Sequence, residues 1–257
     1  MKLNQILVAA LVAASAVPAT AAILPGGTGN GELFLVVWDE GDKVSYVKDF
    51  GVTLDAFNGN ADLSYALNDA NFAGFLGVAN TTATDIKFAV IGSDSAGQKR
   101  LFSTVDSVVT PYNTGNLTSG TGYLNAFTNN QVTVSANTTH AGPGSVNGTS
   151  YDVAPNNAYF GTQFGSTFLN SIVSGGWTNS VLVGTSAVFR SFVQANSTAG
   201  GVQTIKTDFA GVWNVSQSNG AWTAAYSVAA VPEADGIVMA LAGFGALGFL
   251  SLRRRQG

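Results

Sequence analysis

The chain has 257 residues, of which only 10% are Asp, Glu, Lys or Arg, and it contains no cysteine. The absence of cysteine excludes disulfide bonds and thiol chemistry, so the core alone has to stabilise the fold. The net charge of −4 argues against nucleic acid and anionic lipid as partners, because both select basic surfaces.

Residues 1–21 have the layout of a secretory signal peptide. A lysine at the second position precedes the apolar stretch Ile6–Val17. Ala19 and Ala21 then form the small-x-small pattern that predicts cleavage before Ala22. An uncleaved signal anchor is the alternative, which the shortness of the apolar stretch disfavours.

Residues 22–230 are expected to form one exported β-rich domain, long enough for a sizeable core. This part has thirteen acidic and seven basic residues, a net charge of −6. Its polarity comes mainly from Asn, Thr, Ser and Gly, which are solvated by hydrogen bonding. Such a surface suits a neutral polysaccharide matrix, as it suits any extracellular β-protein.

Apolar runs predict four strands in the first part of this domain. Glu32–Asp39 is apolar on both faces, which indicates a central strand, and it forms a hairpin with Lys43–Asp49. Leu63–Leu76 allows a short helix that its Asn and Gly residues weaken. The other two strands are Asp85–Ile91 and Lys99–Val105.

The middle of the domain is rich in Thr, Asn, Ser and Gly. Three prolines interrupt Thr110–Asn157, so we expect loop or edge strand there, with one short element at Leu124–Val134. Apolar residues spaced about four apart predict an amphipathic helix over Ala158–Val173.

The last third predicts short strands separated by turn residues. Asn219 and Gly220 favour the positive φ angles of a two-residue hairpin turn. We therefore expect a mainly β fold: an antiparallel β-sandwich-like single domain with one or two short helices, plus a C-terminal transmembrane helix. The predicted strands are Val181–Val183, Ala187–Gln194, Val202–Phe209, Val212–Ser216 and Ala221–Val228.

No catalytic signature stands out in the chain. His140 is the only histidine, and we expect it in a surface loop. With one histidine and no cysteine, a zinc site is improbable, and we predict no catalytic residue, metal or cofactor. Ser45 and Lys48 match a Ser-x-x-Lys motif by chance, since its companion motifs are missing.

Acidic residues cluster in the first hairpin turn at Asp39, Glu40 and Asp42. The Asp-x-Asp-x-Asp-Gly frame of a calcium loop is missing, so we interpret them as a solvated turn. A carboxylate pair elsewhere would make the protein a glycoside hydrolase, an alternative that spacing in sequence cannot test.

Trp177 is the one tryptophan predicted in a loop, within Ser-Gly-Gly-Trp-Thr-Asn. Exposed aromatics are the groups that stack on sugars, so Trp177 is the candidate contact if the domain is a carbohydrate-binding module. Trp38 and Trp213 lie in apolar strands and are expected in the core.

The C-terminus combines three features in order. Val231, Pro232 and Glu233 open the motif 231–235, and the seventeen residues Gly236–Leu252 contain no charge. At about 1.5 Å per residue a helix there is about 25 Å long, close to the hydrocarbon thickness of a bilayer. Arg253, Arg254 and Arg255 follow, as expected at a cytoplasmic membrane face.

This arrangement resembles the PEP-CTERM sorting signal of Gram-negative bacteria that make extracellular polysaccharide. The resemblance covers residues 231–257, and the family's second proline is Ala234 here. It implies that an exosortase-type membrane enzyme recognises Val231, Pro232 and Glu233, while the arginines act as the cytoplasmic stop. A plain single-span tail anchor is the alternative.

The resemblance implies a function that the folded part does not reveal. We expect a non-catalytic surface or matrix protein, exported across the inner membrane, anchored transiently by its C-terminal helix, then placed at the cell surface or outside the cell. Its implied partners are the exosortase and exopolysaccharide, as in a biofilm.

Overall fold

The structure is a computed structural model that describes residues 23, 27, 29–79, 86–105, 114–140, 148–160, 181–195 and 204–229. These residues contain ten strands and two helices. The strands are β1 Glu32–Asp39, β2 Val44–Thr53, β3 Leu63–Ala66, β4 Lys87–Asp94, β5 Arg100–Val105, β6 Thr149–Val153, β7 Val181–Leu182, β8 Ser186–Gln194, β9 Thr204–Ser218 and β10 Ala221–Val228. The helices are α1 Ala70–Val78 and α2 Thr114–Thr133.

All strands of the described residues belong to one sheet. Their hydrogen-bonded order is β3-β10-β9-β8-β5-β4-β1-β2-β6, and β7 pairs with β4. The mainly β, antiparallel fold predicted from the sequence is confirmed. The strands form a single curled sheet, whereas we had expected two separate sheets.

The curl brings strands together that are far apart in the sheet. Phe50 of β2 stacks on Trp213 of β9, with ring centroids 5.0 Å apart and an interplanar angle of 6°. Phe50 also stacks on Tyr65 of β3, with centroids 4.1 Å apart. Because β8, β5, β4 and β1 lie between β9 and β2 in the sheet, only a curled sheet allows this contact. Aromatic rings therefore fill the concave face.

Helix α1 lies between the two ends of the curled sheet. Its Phe72 packs edge-on against Tyr46 of β2 at 4.9 Å and against Trp222 of β10 at 5.8 Å. Leu63–Leu76, the stretch that was ambiguous in the sequence, divides into β3 and the first two turns of this helix. Asp69 separates them as the helix N-cap.

Helix α2 covers the opposite face of the sheet. Leu117, Leu124 and Phe127 are fully buried in one cluster with apolar residues of β1, β2, β4, β5 and β8. Phe127 packs on Phe34 of β1 at 5.9 Å between ring centroids. Since both faces of the sheet are covered, every residue of β1 is buried. The loop or edge strand expected over residues 114–123 is helix instead, whereas the short element expected at Leu124–Val134 is the second half of the same helix. β6 is a terminal strand of the sheet, in agreement with the edge strand expected in this region.

The last hairpin turn follows from local sequence. Asn219 and Gly220 have φ angles of 50° and 80°, which confirms the two-residue hairpin between β9 and β10. β9 is one strand of 15 residues, although we had predicted a break within it. Of the helix predicted over Ala158–Val173, residues 161–173 lie outside the described residues.

Candidate functional site

The residues predicted for export and sorting lie outside the part of the chain that the structure describes. They are Ala19, Ala21, Ala22, Val231, Pro232, Glu233, Arg253, Arg254 and Arg255, with the apolar run Gly236–Leu252. Their roles remain predictions. Neither helix in the described residues has the length and apolar character needed to cross a membrane.

Three of the four tryptophans lie in the described residues, and two of these three are in the core. Trp38 and Trp213 are fully buried, which confirms the prediction for both. Trp222 is half-buried and packs on α1. Trp177, the proposed sugar contact, lies outside the described residues.

The prediction of a surface position for His140 was wrong. Its exposed fraction is 0%, and its backbone amide donates to the Thr138 hydroxyl at 3.1 Å. Residues 137–139 run along the outer edge of β6, where Thr138 forms a bridge with Ser150. The segment that ends at the buried His140 therefore covers a sheet edge, a common protection against further strand pairing.

The acidic turn after β1 is only partly solvated. Asp39 is buried, and its Oδ1 accepts hydrogen bonds from the backbone amides of Gly41 and Asp42 at 2.8 and 3.1 Å. Glu40 is exposed and forms an ion pair with Lys87 at 3.0 Å. Asp39 thus shapes the turn instead of facing water, which corrects our interpretation of that residue.

Ser45 and Lys48 are three positions apart in β2, so their side chains lie on opposite faces of the strand. The Ser45 hydroxyl accepts a hydrogen bond from the Phe160 amide at 3.0 Å. Ser45 pairs with Trp38 and Lys48 pairs with Leu35 across the β1–β2 ladder. The lysine therefore cannot activate this serine in the described arrangement.

The most unusual group of charges is a buried acidic pair, Glu32 of β1 and Asp49 of β2. Their exposed fractions are 5% and 0%. Asp49 pairs with Phe34 across the ladder, and Glu32 is two residues from Phe34, so both carboxyl groups lie on one face of the sheet. Asp49 Oδ1 accepts from the Gly51 amide at 2.8 Å. Asp49 Oδ2 is buried without a hydrogen-bond partner in the described residues.

The acidic pair has a perturbed titration. Burial is the largest cause, and the charge of Glu32 adds to it, together raising the pKa of Asp49 to about 7. Hydrogen bonds from Gly51 and the charge of Lys48 act in the opposite direction. Two neighbouring carboxyl groups in a buried site favour keeping a proton.

Such a pair is the kind of feature that the glycoside hydrolase alternative requires. A glycosidase, however, needs both carboxyl groups beside the bound sugar. With Asp49 fully buried and Glu32 almost so, the described conformation gives a sugar ring no access to them. The pair is better suited to a role in conformation than in hydrolysis.

A second polar cluster surrounds Asp69 at the start of α1. Its Oδ2 accepts from the Tyr46 hydroxyl at 2.7 Å, and its Oδ1 accepts from the Thr149 hydroxyl at 2.9 Å. The backbone amides of Asn71 and Phe72 donate to the same Oδ1, each at 3.1 Å. One carboxylate thus caps α1 and ties it to β2 and β6.

These contacts set the pKa values in the cluster. Burial alone raises the pKa of Asp69, but hydrogen bonds from Tyr46, Phe72 and Thr149 outweigh it and leave the pKa below its usual value. Burial lowers the pKa of Lys48, and the charges of Asp69 and Asp49 oppose that shift. The Tyr46 and Thr149 hydroxyl groups and two backbone amides all donate hydrogen bonds to Asp69. The cluster therefore has a structural role, since it joins α1 to β2 and β6.

A third polar contact joins α2 to β6 inside the protein. The Ser150 hydroxyl donates to Gln131 Oε1 at 2.6 Å, and Gln131 Nε2 donates to the Ala158 carbonyl at 2.8 Å. Ser150 and Gln131 are both fully buried. Paired polar groups of this kind position α2 without leaving a donor unsatisfied.

In the described part of the chain, no three His, Asp or Glu side chains gather closely enough to hold a metal ion. The chain matches no protein-family model, no curated protein and no solved structure. The function has therefore to be argued from the residues themselves.

Sequence reasoning overlooked the acidic pair, although two signals were present. Glu32 begins a strand predicted to be central and is followed by six apolar residues, a position where a charge is unusual. Asp49 is followed by Phe50 and Gly51, and a glycine within a strand often marks a bulge. Together these signals predict a buried carboxylate beside an irregularity in the sheet.

Proposed function

We propose that this protein is a non-catalytic, exported surface or matrix protein, sorted by its C-terminal segment and associated with extracellular polysaccharide. The observation that carries the proposal is the order of features at the C-terminus. Pro232 and Glu233 come first, the uncharged run Gly236–Leu252 follows, and Arg253–Arg255 come last.

The C-terminal run acts as a transmembrane helix in this proposal. Its length matches a single span of the hydrocarbon layer, and the arginines hold its end at the cytoplasmic face. An exosortase-type enzyme is the partner that recognises the motif 231–235. The signal peptide at residues 1–21 places the domain on the other side of the membrane.

The end of the folded domain supports this arrangement. β10 ends at Val228, only four residues before Pro232. The domain can therefore complete its last strand while the sorting motif stays at the membrane surface. A short connection of this kind keeps the motif near a membrane enzyme.

The domain also has the properties of a protein that works outside the cytoplasm without disulfides. In place of disulfides, two buried apolar clusters stabilise the fold: the aromatic residues of the concave face and the cluster under α2. Its low charge and its Asn, Thr and Ser content suit contact with neutral polysaccharide. The carboxyl groups of Glu32 and Asp49 are buried and therefore do not contact a polysaccharide at the surface.

The test is fractionation of the native host with a double substitution, Pro232→Ala with Glu233→Ala. We expect the wild type outside the cell and shortened at its C-terminus, and the variant full-length in the membrane. The control is Gln217→Ala with Ser218→Ala, which changes two exposed residues just before the last hairpin turn. It should behave as the wild type.

If wild type and variant both stay full-length in the membrane, the protein is a tail-anchored periplasmic protein. The inferred link to exopolysaccharide would then lose its basis. If the control is also retained in the membrane, folding and not sorting decides the location.

A further inference from the structure

The buried cluster under α2 includes a residue from the start of the chain. Ile23 has an exposed fraction of 1% and lies in this cluster with Leu117, Leu124 and Phe127 of α2. The remaining members come mainly from β1, β2, β4, β5 and β8. Ile23 is therefore part of the apolar layer that joins α2 to the sheet.

Two other described residues before β1 also contact the domain. A Cβ on Gly27 would lie 3.0 Å from Asn125 Oδ1 of α2, so the Gly27 backbone approaches this helix closely. The Asn30 amide donates to Asp94 Oδ2 at the end of β4, at 2.9 Å. Of Ile23, Gly27 and Asn30, only Ile23 is buried. Its side chain is therefore the one that the core takes up.

Helix α2 depends on this apolar layer. Its 20 residues are rich in Thr, Asn and Gly, which have low helix propensity. A helix of this composition is stabilised mainly by burial of its apolar residues. Removing Ile23 would leave a cavity against those residues, and a cavity costs stability beyond the lost apolar area. The loss of Ile23 should therefore weaken the docking of α2 first.

Ile23 lies next to the predicted signal-peptide cut. Cleavage before Ala22 makes Ile23 the second residue of the exported chain. In the uncut chain Ile23 follows the apolar stretch Ile6–Val17 by six positions, which span at most about 20 Å. Part of this length is needed to cross the lipid headgroups. The uncut chain therefore holds Ile23 close to the membrane.

Two apolar burials compete for this short connection. The membrane takes up the twelve residues of Ile6–Val17, whereas the core takes up one isoleucine side chain. Because hydrophobic stabilisation scales with the apolar area buried, the membrane prevails wherever both cannot be satisfied. As long as the chain is uncut, the membrane and not the core determines the position of Ile23.

We propose that Ile23 is an N-terminal plug that enters the α2 cluster fully only after cleavage before Ala22, so that signal-peptide removal completes the docking of α2 on the sheet. This inference rests on the proposed function, since it requires the export signal at residues 1–21. It also constrains the cut site. A cut before Ala22 keeps the plug, whereas a cut beyond Ile23 removes a core residue.

The experiment is hydrogen–deuterium exchange of the full chain, expressed in its native host and reconstituted in lipid nanodiscs. All chains carry Pro232→Ala with Glu233→Ala, so that C-terminal processing is the same in each. Ala19→Leu with Ala21→Leu removes the small-x-small pattern and blocks the N-terminal cut, which intact mass verifies. We expect α2 amides to exchange at least tenfold faster in the uncut chain than in the cut parent.

Variants of the plug test the residue itself. Ile23→Ala in the cut chain should also speed exchange of α2 at least tenfold, and Ile23→Val should do so by a smaller factor. Val134→Ala is the matched control, because Val134 follows α2 and is 41% exposed, and it should leave exchange unchanged. Exchange of β10, which is outside the α2 cluster, serves as the internal reference.

Three results would overturn the proposal. Equal α2 protection in the cut parent and the uncut chain would reject the coupling while leaving the export signal intact. Unchanged α2 exchange in Ile23→Ala would reject the plug. A parent chain that retains residues 1–21 and still protects α2 would contradict both the plug and the cleavage on which the proposed function depends.

Discussion

The rings of Phe50 and Trp213 lie 5.0 Å apart and almost parallel, at 6°, although four strands separate β2 from β9 in the sheet. β2 has a bulge here, since Phe34 pairs with Asp49 but Leu33 pairs with Val52. Phe50 is an extra residue of this bulge, so the irregularity supplies the side chain that closes the curl. Trp213 also packs on Phe189 and Tyr226, at 6.1 and 5.4 Å between ring centroids. One bulge thus links the local backbone to the concave core.

The first prediction concerns this ring pair. Phe50→Ala should reduce the free energy of unfolding by about 3–5 kcal/mol, because it removes a buried aromatic ring and leaves a cavity. Trp213→Ala should cost a similar amount, and the double variant should show a coupling of about 0.5–1.5 kcal/mol. Urea unfolding followed by far-UV circular dichroism measures all three.

Ile205→Ala is the control for the ring pair, since Ile205 of β9 is 56% exposed. It should change the free energy of unfolding by less than about 0.5 kcal/mol. Fully additive effects of the two ring substitutions would show that the rings do not act together.

The second prediction compares two glycines in helices. A Cβ on Gly74 of α1 would lie 2.5 Å from Tyr151 Cε1, so Gly74→Ala should destabilise the protein by about 1–3 kcal/mol through overpacking. A Cβ on Gly122 of α2 meets nothing within 4 Å, so Gly122→Ala should stabilise by about 0.5–1 kcal/mol. Thermal unfolding of both variants gives the signs, and equal signs would contradict the packing of α1 on β6.

Gly122 also shows why the sequence analysis predicted only a short element at Leu124–Val134 where the structure has the whole of α2. Helix propensity favours Ala, Leu, Glu and Lys, whereas Thr114–Thr133 is composed largely of Thr, Asn and Gly. The helix is stabilised by tertiary contacts of three residues: Leu117, Leu124 and Phe127. Their spacing of seven and three is helical, but the polar composition outweighed that signal in our reading.

Other elements were predictable because their signals are local. Glu32–Asp39 was placed with the same bounds from its apolar run, and the Asn219-Gly220 turn from its need for positive φ angles. The curl was not predictable, since it depends on Phe50 meeting Trp213 across 163 positions of the sequence. The acidic pair likewise exists only because pairing brings Glu32 near Asp49.

The third prediction concerns Asp69. Asp69→Ala removes the N-cap of α1 and leaves the buried Tyr46 and Thr149 hydroxyl groups without their acceptor, so it should cost about 2–4 kcal/mol. Asp69→Asn keeps one acceptor oxygen and should cost less. Urea unfolding near neutral pH measures both.

Asp69 also gives an acid dependence of opposite sign to that of Asp49. Its pKa is lowered in the folded state, so its contribution is present above the unfolded value of about 3.9 and is lost as pH falls through the folded pKa. Stability of the wild type should therefore fall more steeply in this acid range than that of Asp69→Asn. If the free energy of unfolding of the two proteins fell equally steeply with pH, the carboxylate contacts of Asp69 would contribute nothing.

The fourth prediction concerns Trp177. If the exported domain grips polysaccharide through a loop aromatic, Trp177→Ala should weaken retention on host exopolysaccharide by about 1–3 kcal/mol, or five-fold to more than a hundred-fold in affinity. Affinity electrophoresis in gels containing the polysaccharide measures the retardation. Thr178→Ala is the neighbouring control and should leave it unchanged.

Equal retardation of wild type and Trp177→Ala would exclude this tryptophan as the contact. Wild type that is not retarded at all would leave a matrix protein without direct sugar binding. Release of reducing sugar by the wild type would instead favour the glycoside hydrolase alternative.

We propose that the chain is exported and then sorted through its C-terminal segment. The intact mass of the protein purified from its native host tests this most directly. We predict a chain that begins near Ala22 and ends close to Pro232 and Glu233, without Arg253–Arg255. A mass that includes the apolar run and the three arginines would contradict processing, and a mass that includes residues 1–21 as well would contradict cleavage at both ends.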